Sequence, residues 1–130
     1  FLYLQRGTPC IYYGTELALI GGPDPDCRRV MPWERVSGDN DMLNFMKDLI
    51  QLRKEVAGMI QRGKVNLEEV DPDVVAVEWQ YDRHLLKAYF NHSKKDVVLE
   101  RGQVELISHG NISCEQLTIQ PNGFVIYRED

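Results

Sequence analysis

The chain has 130 residues, 43% of them hydrophobic, and a formal charge of −5. That length fits one domain, or one domain plus a piece of another, and the acidic balance argues against nucleic acid or an anionic membrane as the main partner. No apolar run in the sequence approaches the roughly 20 residues of a membrane-spanning helix.

The sequence opens Phe1-Leu2-Tyr3-Leu4-Gln5-Arg6, with neither an initiator Met nor a signal-peptide pattern. It is expected to be a piece of a longer protein that enters in the middle of an element. Residues 1–5 are apolar enough to form the last turn of a helix. Gly7 suits a left-handed position after that turn, and Pro9 cannot continue it.

Cys10-Ile11-Tyr12-Tyr13 follows, flanked by Pro9 and Gly14. A run this short and apolar reads as a buried strand of the parallel kind. Tyr12 and Tyr13 would point to opposite faces, one into the core and one toward a pocket. Glu16 comes just after, where α/β enzymes place binding groups. A catalytic carboxylate of a glycosidase needs a second one within about 5–10 Å, and none can be placed here. Ordering of the loop is the role expected for Glu16.

Residues 15–40 hold Gly21, Gly22, Pro23, Pro25 and Pro32 and read as a long loop. Asp24 and Arg28 stand four apart within it. Two readings are open from spacing alone. The pair is a local salt bridge that stiffens the loop, or it binds vicinal hydroxyls, which need both an acceptor and a forked donor. Trp33, with Met31 and Pro32, is expected to plug the space under the loop; a sugar-stacking platform is the alternative.

The clearest element comes next. Asp39, Asn40 or Asp41 can cap a helix N-terminus. Leu43, Met46, Leu49, Ile50, Arg53 and Val56 then recur at three- and four-residue steps, predicting an amphipathic helix over 41–57 with Gly58 and Gly63 at its exit.

From Lys64 the period changes to two. Val75, Val77 and Trp79 alternate with polar or small residues, as do Leu86, Ala88 and Phe90. Further short runs lie at 97–99, 104–107, 117–119 and 124–127. Turn residues separate them at 71–73, 81–83, 91–95, 101–102, 109–111 and 121–123. Strands at roughly ten-residue spacing predict an antiparallel sandwich or Greek-key barrel.

The remaining chemistry is sparse. Cys10, Cys27 and Cys114 show no metal spacing and are expected to be free thiols, with a Cys10–Cys27 disulfide unsupported. His84, His92 and His109 fall in or near turns and are expected at the surface without a metal. The basic dipeptide Lys94-Lys95 reads as a solvated turn. Asn91-His92-Ser93 and Asn111-Ile112-Ser113 match the glycosylation triplet but are expected to be ordinary strand or turn residues. There is no phosphate-binding glycine loop, and no cofactor is expected.

The string Gly7-Thr8-Pro9-Cys10-Ile11-Tyr12-Tyr13-Gly14-Thr15-Glu16-Leu17, followed by Gly21-Gly22-Pro23-Asp24-Pro25-Asp26-Cys27-Arg28-Arg29-Val30-Met31-Pro32-Trp33, resembles the eighth-strand region of α-amylase family glycoside hydrolases. Asp24-Pro25-Asp26-Cys27-Arg28 before Met31-Pro32-Trp33 is similar to the neopullulanase, cyclomaltodextrinase and maltogenic amylase branch. The helix with Phe45, Leu49, Ile50, Leu52, Arg53 and Lys54 looks like the last barrel helix, and Phe90-Asn91 after Leu85-Leu86 is similar to the β domain that follows it.

The resemblance implies an α+β fragment. Residues 1–60 would be the tail of a (β/α)8 barrel, with its strand 8 and helix 8, and residues 61–130 an all-β C-terminal domain of the Greek-key sandwich type. The parent would hydrolyse α-1,4-glucosidic bonds of maltodextrin, cyclodextrin or pullulan. Its catalytic carboxylates lie on earlier strands whose motifs do not occur here, so the fragment would be inactive. Asp24 and Arg28 would bind glucosyl units. Thr15 departs from members that carry Asp before the Glu.

Three expectations complete the reading. The β region is structural; the alternative, an autonomous carbohydrate-binding module, would display Trp79, Tyr81, Tyr89, Phe90 or Tyr127. The orphaned strand at 10–13 is expected to rearrange, leave the core, or pair with a second copy of the chain. The free cysteines tilt the parent toward the cytoplasm.

Overall fold

The computed structural model describes residues 1–36, 40–99, 104–109 and 117–129. Cys114, the triplet at Asn111, the turn at Arg101-Gly102, Gly110 and the candidate cap Asp39 lie outside the described residues.

Helix α1 spans Asp41–Arg62, 22 residues rather than the 17 expected. Asn40 caps it, its Oδ1 accepting from the Leu43 amide at 3.0 Å, which satisfies one of the amides a helix start leaves unpaired. Gly58 does not end the helix; it lies inside it. The helix stops at Gly63, where a Cβ would lie 2.5 Å from the Met59 carbonyl and 2.8 Å from that of Gln80. Close approach of the helix end to the sheet therefore requires glycine there. The buried stripe is Met46, Leu52, Val56 and Ile60. Ile50, expected to face inward, is exposed, and Leu52 takes that role.

Seven strands follow: β1 (Lys64–Asp71), β2 (Val74–Tyr81), β3 (His84–Asn91), β4 (Val97–Leu99), β5 (Val104–His109), β6 (Leu117–Ile119) and β7 (Phe124–Glu129). They build a five-stranded sheet in the order β1-β2-β3-β7-β5 and a two-stranded sheet of β4 and β6. All pairings are antiparallel. The period-two runs thus form antiparallel sheets as expected, and β1 adds a strand that the alternation did not pick out.

Register separates the large sheet into two faces. Trp79 sits opposite Leu86, and Val77 opposite Ala88. Ala88 is in turn opposite Ile126. These residues pack with Leu52, Val56 and Ile60 of α1 and with Leu4. On the other face, Val125 and Tyr127 pack with Leu117 and Ile119 of the small sheet, flanked by Tyr89 and Leu99. Burial pushes the Tyr127 phenol well above its usual value, helped by its hydrogen bond with Tyr89 and by nearby acidic charges. Lys87 pairs with Glu78 at 3.2 Å on this face. Burial lowers the Lys87 ammonium pKa, but the bond to Glu78 outweighs it and the net shift is upward.

Strand β1 is an edge strand, exposed along its whole length. Val65 and Leu67 pair with Trp79 and Val77, so they share the helix-side face, yet α1 does not cover them and Leu67 is 60% exposed. A bulge between Glu69 and Asp71 breaks its register.

Residues 1–36 contain no strand. They hold four short 3-10 turns: Leu2–Leu4, Thr15–Leu17, Asp26–Arg28 and Trp33–Arg35. The buried strand expected at 10–13 is not formed; Cys10, Ile11, Tyr12 and Tyr13 are all exposed. The reason is pairing. A strand needs neighbours for its amides and carbonyls, and every strand of the described sheets comes from residues 64–129 and pairs within that set.

Candidate functional site

The candidate site is the loop that carries Asp24 and Arg28. Its turns close locally. The Asp26 amide donates to the Pro23 carbonyl at 2.7 Å and the Arg28 amide to that of Pro25 at 2.9 Å. The Asp24–Pro25 bond is cis. Arg29 Nε donates back to the Asp26 carbonyl at 3.0 Å.

These bonds bring Asp24 and Arg28 together. Arg28 Nη2 lies 3.0 Å from Asp24 Oδ2, with the two side chains 68% and 60% exposed. Both open readings of the pair agree with that contact. An ion pair this exposed adds about 0–1 kcal/mol to stability. It also leaves the remaining carboxylate oxygen and guanidinium N–H groups free to meet a polar ligand such as vicinal hydroxyls.

The surroundings differ from expectation in two places. Trp33 is 71% exposed, so it does not plug the loop; its turn stands on the surface with the indole outward. Tyr12 and Tyr13 do not divide between core and pocket. Both are exposed, their rings 4.6 Å apart. Without a strand, the alternation that would separate them is lost. The two tyrosines line a shallow hollow with Leu19, Asp26, Cys27 and Arg29. Glu16 is half-buried in its turn.

Cys10 and Cys27 are free thiols. Among the described residues no three His, Cys, Asp or Glu side chains gather as metal ligands would, and no helix is long and apolar enough to cross a membrane.

Two arginines tie this part of the chain to the body, and a third ties it to itself. Arg53 of α1 donates to the carbonyls of Tyr3, Gln5 and Gly7 at 2.7–2.9 Å. Arg6 donates to the Gly63 carbonyl at 2.6 Å and lies over the Trp79 ring at 5.4 Å. Arg35 donates to the Leu17 carbonyl at 3.0 Å. Sequence reasoning counted Arg53 as a member of the helix face and gave Arg6 and Arg35 no role. No local pattern announces a side chain that will meet carbonyls some fifty residues away.

Asn91 is a further residue whose role the sequence hides. It is 2% exposed. Its Nδ2 donates to the carbonyls of Lys95, Ile119 and Gln120 at 2.8–3.1 Å, and its Oδ1 accepts from the Ser93 amide at 2.9 Å. The triplet Asn91-His92-Ser93 is therefore a clamp between β3 and the small sheet, with its amide nitrogen occupied.

No family model matches the sequence. The chain is 40% identical over 124 residues to an intracellular maltogenic amylase of Bacillus subtilis, covering 93% of this chain and 21% of the relative. It is 38% identical over 102 residues to neopullulanase 2 of Thermoactinomyces vulgaris, covering 76% of this chain and 17% of the relative. The fold superposes on the crystal structure of a maltogenic amylase from S. marinus with a TM-score of 0.79 and 25% identity, over 98% of this chain and 18% of that one.

Its relatives are thus maltogenic amylase, neopullulanase and cyclomaltodextrinase, and its structural neighbours are amylases. The chain spans about a fifth of the length of the curated relatives it matches. Within this stretch, the sheets and α1 form the described core, and the Asp24–Arg28 loop projects from it.

Proposed function

We propose that this chain is the substrate-holding tail of an α-glucan hydrolase. Residues 1–60 would complete a (β/α)8 barrel as its strand 8 and helix 8, and residues 61–130 would form its structural β domain. The observation that carries the reading is the Asp24–Arg28 pair. It is held at 3.0 Å in a locally closed loop, exposed, and outside every hydrophobic cluster. A stabilising ion pair has no need of such a place; a pair that meets hydroxyls does. The relatives' names, maltogenic amylase and neopullulanase, support maltodextrin or a similar glucan as the ligand.

The exposed apolar side chains of Ile11, Tyr12, Ile20 and Val30 fit a segment whose neighbours in a barrel are supplied by other parts of the protein. In the chain alone they favour self-association. Chemistry would come from carboxylates elsewhere in the barrel, in the two-carboxylate retaining scheme, so residues 1–130 alone are inactive. The free thiols and the likeness to an intracellular enzyme support a cytoplasmic protein.

The test is steady-state hydrolysis of maltodextrin by the full-length gene product. Asp24→Ala and Arg28→Ala should each raise KM about tenfold, the effect of losing hydrogen bonds from a charged group, with kcat changed far less. Unchanged KM in both would sink the binding role.

A carbohydrate-binding module in the β region finds less support. It needs flat exposed aromatics, whereas Trp79 and Tyr127 are buried and Phe90 stacks against Phe124 at 6.1 Å. Calorimetric titration of this chain with cyclodextrin separates the two readings, since a module would bind without the barrel.

A further inference from the structure

We infer that Tyr13 is a positioning residue for sugar binding: its hydroxyl sets where the Asp24–Arg28 pair stands relative to the body of the protein. This rests on the proposed binding role of that pair. Among the described residues, the hydrogen bonds of loop 21–30 are local, within four positions, with one exception. Tyr13 Oη donates to the Arg29 carbonyl at 2.8 Å, across 16 residues. The local bonds fix the pair's internal geometry, but they leave its place undetermined. Apolar packing does not supply the place either, because Ile20 and Val30 at the loop's two ends are both largely exposed.

The tether has a firm origin. Gly14, next to Tyr13, accepts from the amides of Leu17 and Leu19 at 3.1 and 3.0 Å. Thr15 Oγ1 donates to the Tyr12 carbonyl at 2.7 Å. Leu17 is buried, its turn packs on α1, and Arg35 holds its carbonyl. A continuous path therefore runs from α1 through Leu17, Gly14 and Tyr13 to Arg29, whose neighbour is Arg28. Binding sites lose affinity when a ligand-facing group is free to wander, because ordering it then falls to the ligand.

The test uses Tyr13→Phe, which keeps the ring and removes the hydroxyl. In the full-length gene product hydrolysing maltodextrin, it should raise KM about threefold to tenfold, the span of one hydrogen bond. It should leave kcat within about twofold and Tm unchanged. In an Arg28→Ala background the same substitution should change KM by less than about 1.5-fold, because residues acting through one another are not additive. An unchanged KM in the otherwise native protein overturns the inference. So does an equal factor in both backgrounds, which would mean that Tyr13 acts independently of Arg28. If Arg28→Ala and Asp24→Ala leave KM unchanged, the binding role itself is lost and the positioning role falls with it. If they raise KM and Tyr13→Phe does not, only the positioning role is lost.

Discussion

Residues 1–36 and the described residues from α1 to β7 keep their shape by different means. The second region is organised by ladders and packed side chains: antiparallel strands satisfy one another's backbone, α1 closes one face of the large sheet, and β4 and β6 close the other. The first has no ladder. Its 3-10 turns are placed by buried leucines, Leu4 in the helix–sheet core and Leu17 in the turn against α1, and by single side chains, chiefly Arg53, Arg35 and Tyr13, each reaching a distant carbonyl. The difference teaches that a segment without strand partners can still be placed if point contacts meet its carbonyls. It also shows the cost of that solution, which is the apolar surface left outside at Tyr12, Ile20, Val30 and Trp33. On the proposed reading, this surface is where the rest of the barrel would pack.

The comparison can be broken most forcefully in the core. Ile60, fully buried between α1 and the sheet, should lose about 2–5 kcal/mol of unfolding free energy on Ile60→Ala, the usual range for an aliphatic core truncation. Val30→Ala in the exposed loop should stay within about 0.5 kcal/mol. Urea unfolding of the two variants measures both; comparable losses would mean that loop and core unfold as one packed unit.

A smaller effect sharpens the boundary. Arg53→Ala removes three hydrogen bonds to the carbonyls of residues 3, 5 and 7. Bonds to a charged group are worth about 1.5–3 kcal/mol each at most, and water will recover part of that. Amide exchange should speed up in residues 1–7 while the amides of β2, β3 and β7 keep their protection. Equal acceleration in the sheet would show that the two regions are one cooperative unit.

The smallest effect lies within α1. Gly58 is interior to the helix, and a Cβ there would meet only the mobile end of Arg62, at 3.1 Å. Gly58→Ala should add about 0.5–1 kcal/mol through helix propensity, seen as a modest rise in Tm. A fall would mean that Arg62, whose guanidinium lies over the Tyr81 ring at 4.9 Å, cannot yield.

Legibility in the sequence followed the range of the forces. The helix was readable because its apolar spacing is local and Asn40 can cap from the adjacent position; its end was not, because the need for glycine at 63 comes from the Gln80 carbonyl of β2, which a Cβ there would meet. The strands β2 and β3 were readable from alternation, and β7 from its short apolar run. The strand β1 was not, since both its faces are exposed and burial never imposed a pattern on it. In the candidate site, the types and spacing of Asp24 and Arg28 were visible at once. The anchors were not, because Arg53, Arg35 and Tyr13 act on carbonyls, which carry no residue identity.

The sequence by itself determined the period of each element, the turn residues between the strands, and the string from Gly7 to Trp33 that resembles the amylase family. Those are properties of neighbouring residues. Only the tertiary structure decided that 10–13 is not a strand, that Trp33 faces solvent, and that Asn91 clamps two sheets while Tyr13 tethers a loop. Each of those depends on whether a partner far along the chain is present to take a hydrogen bond or cover an apolar surface, and no local pattern records that.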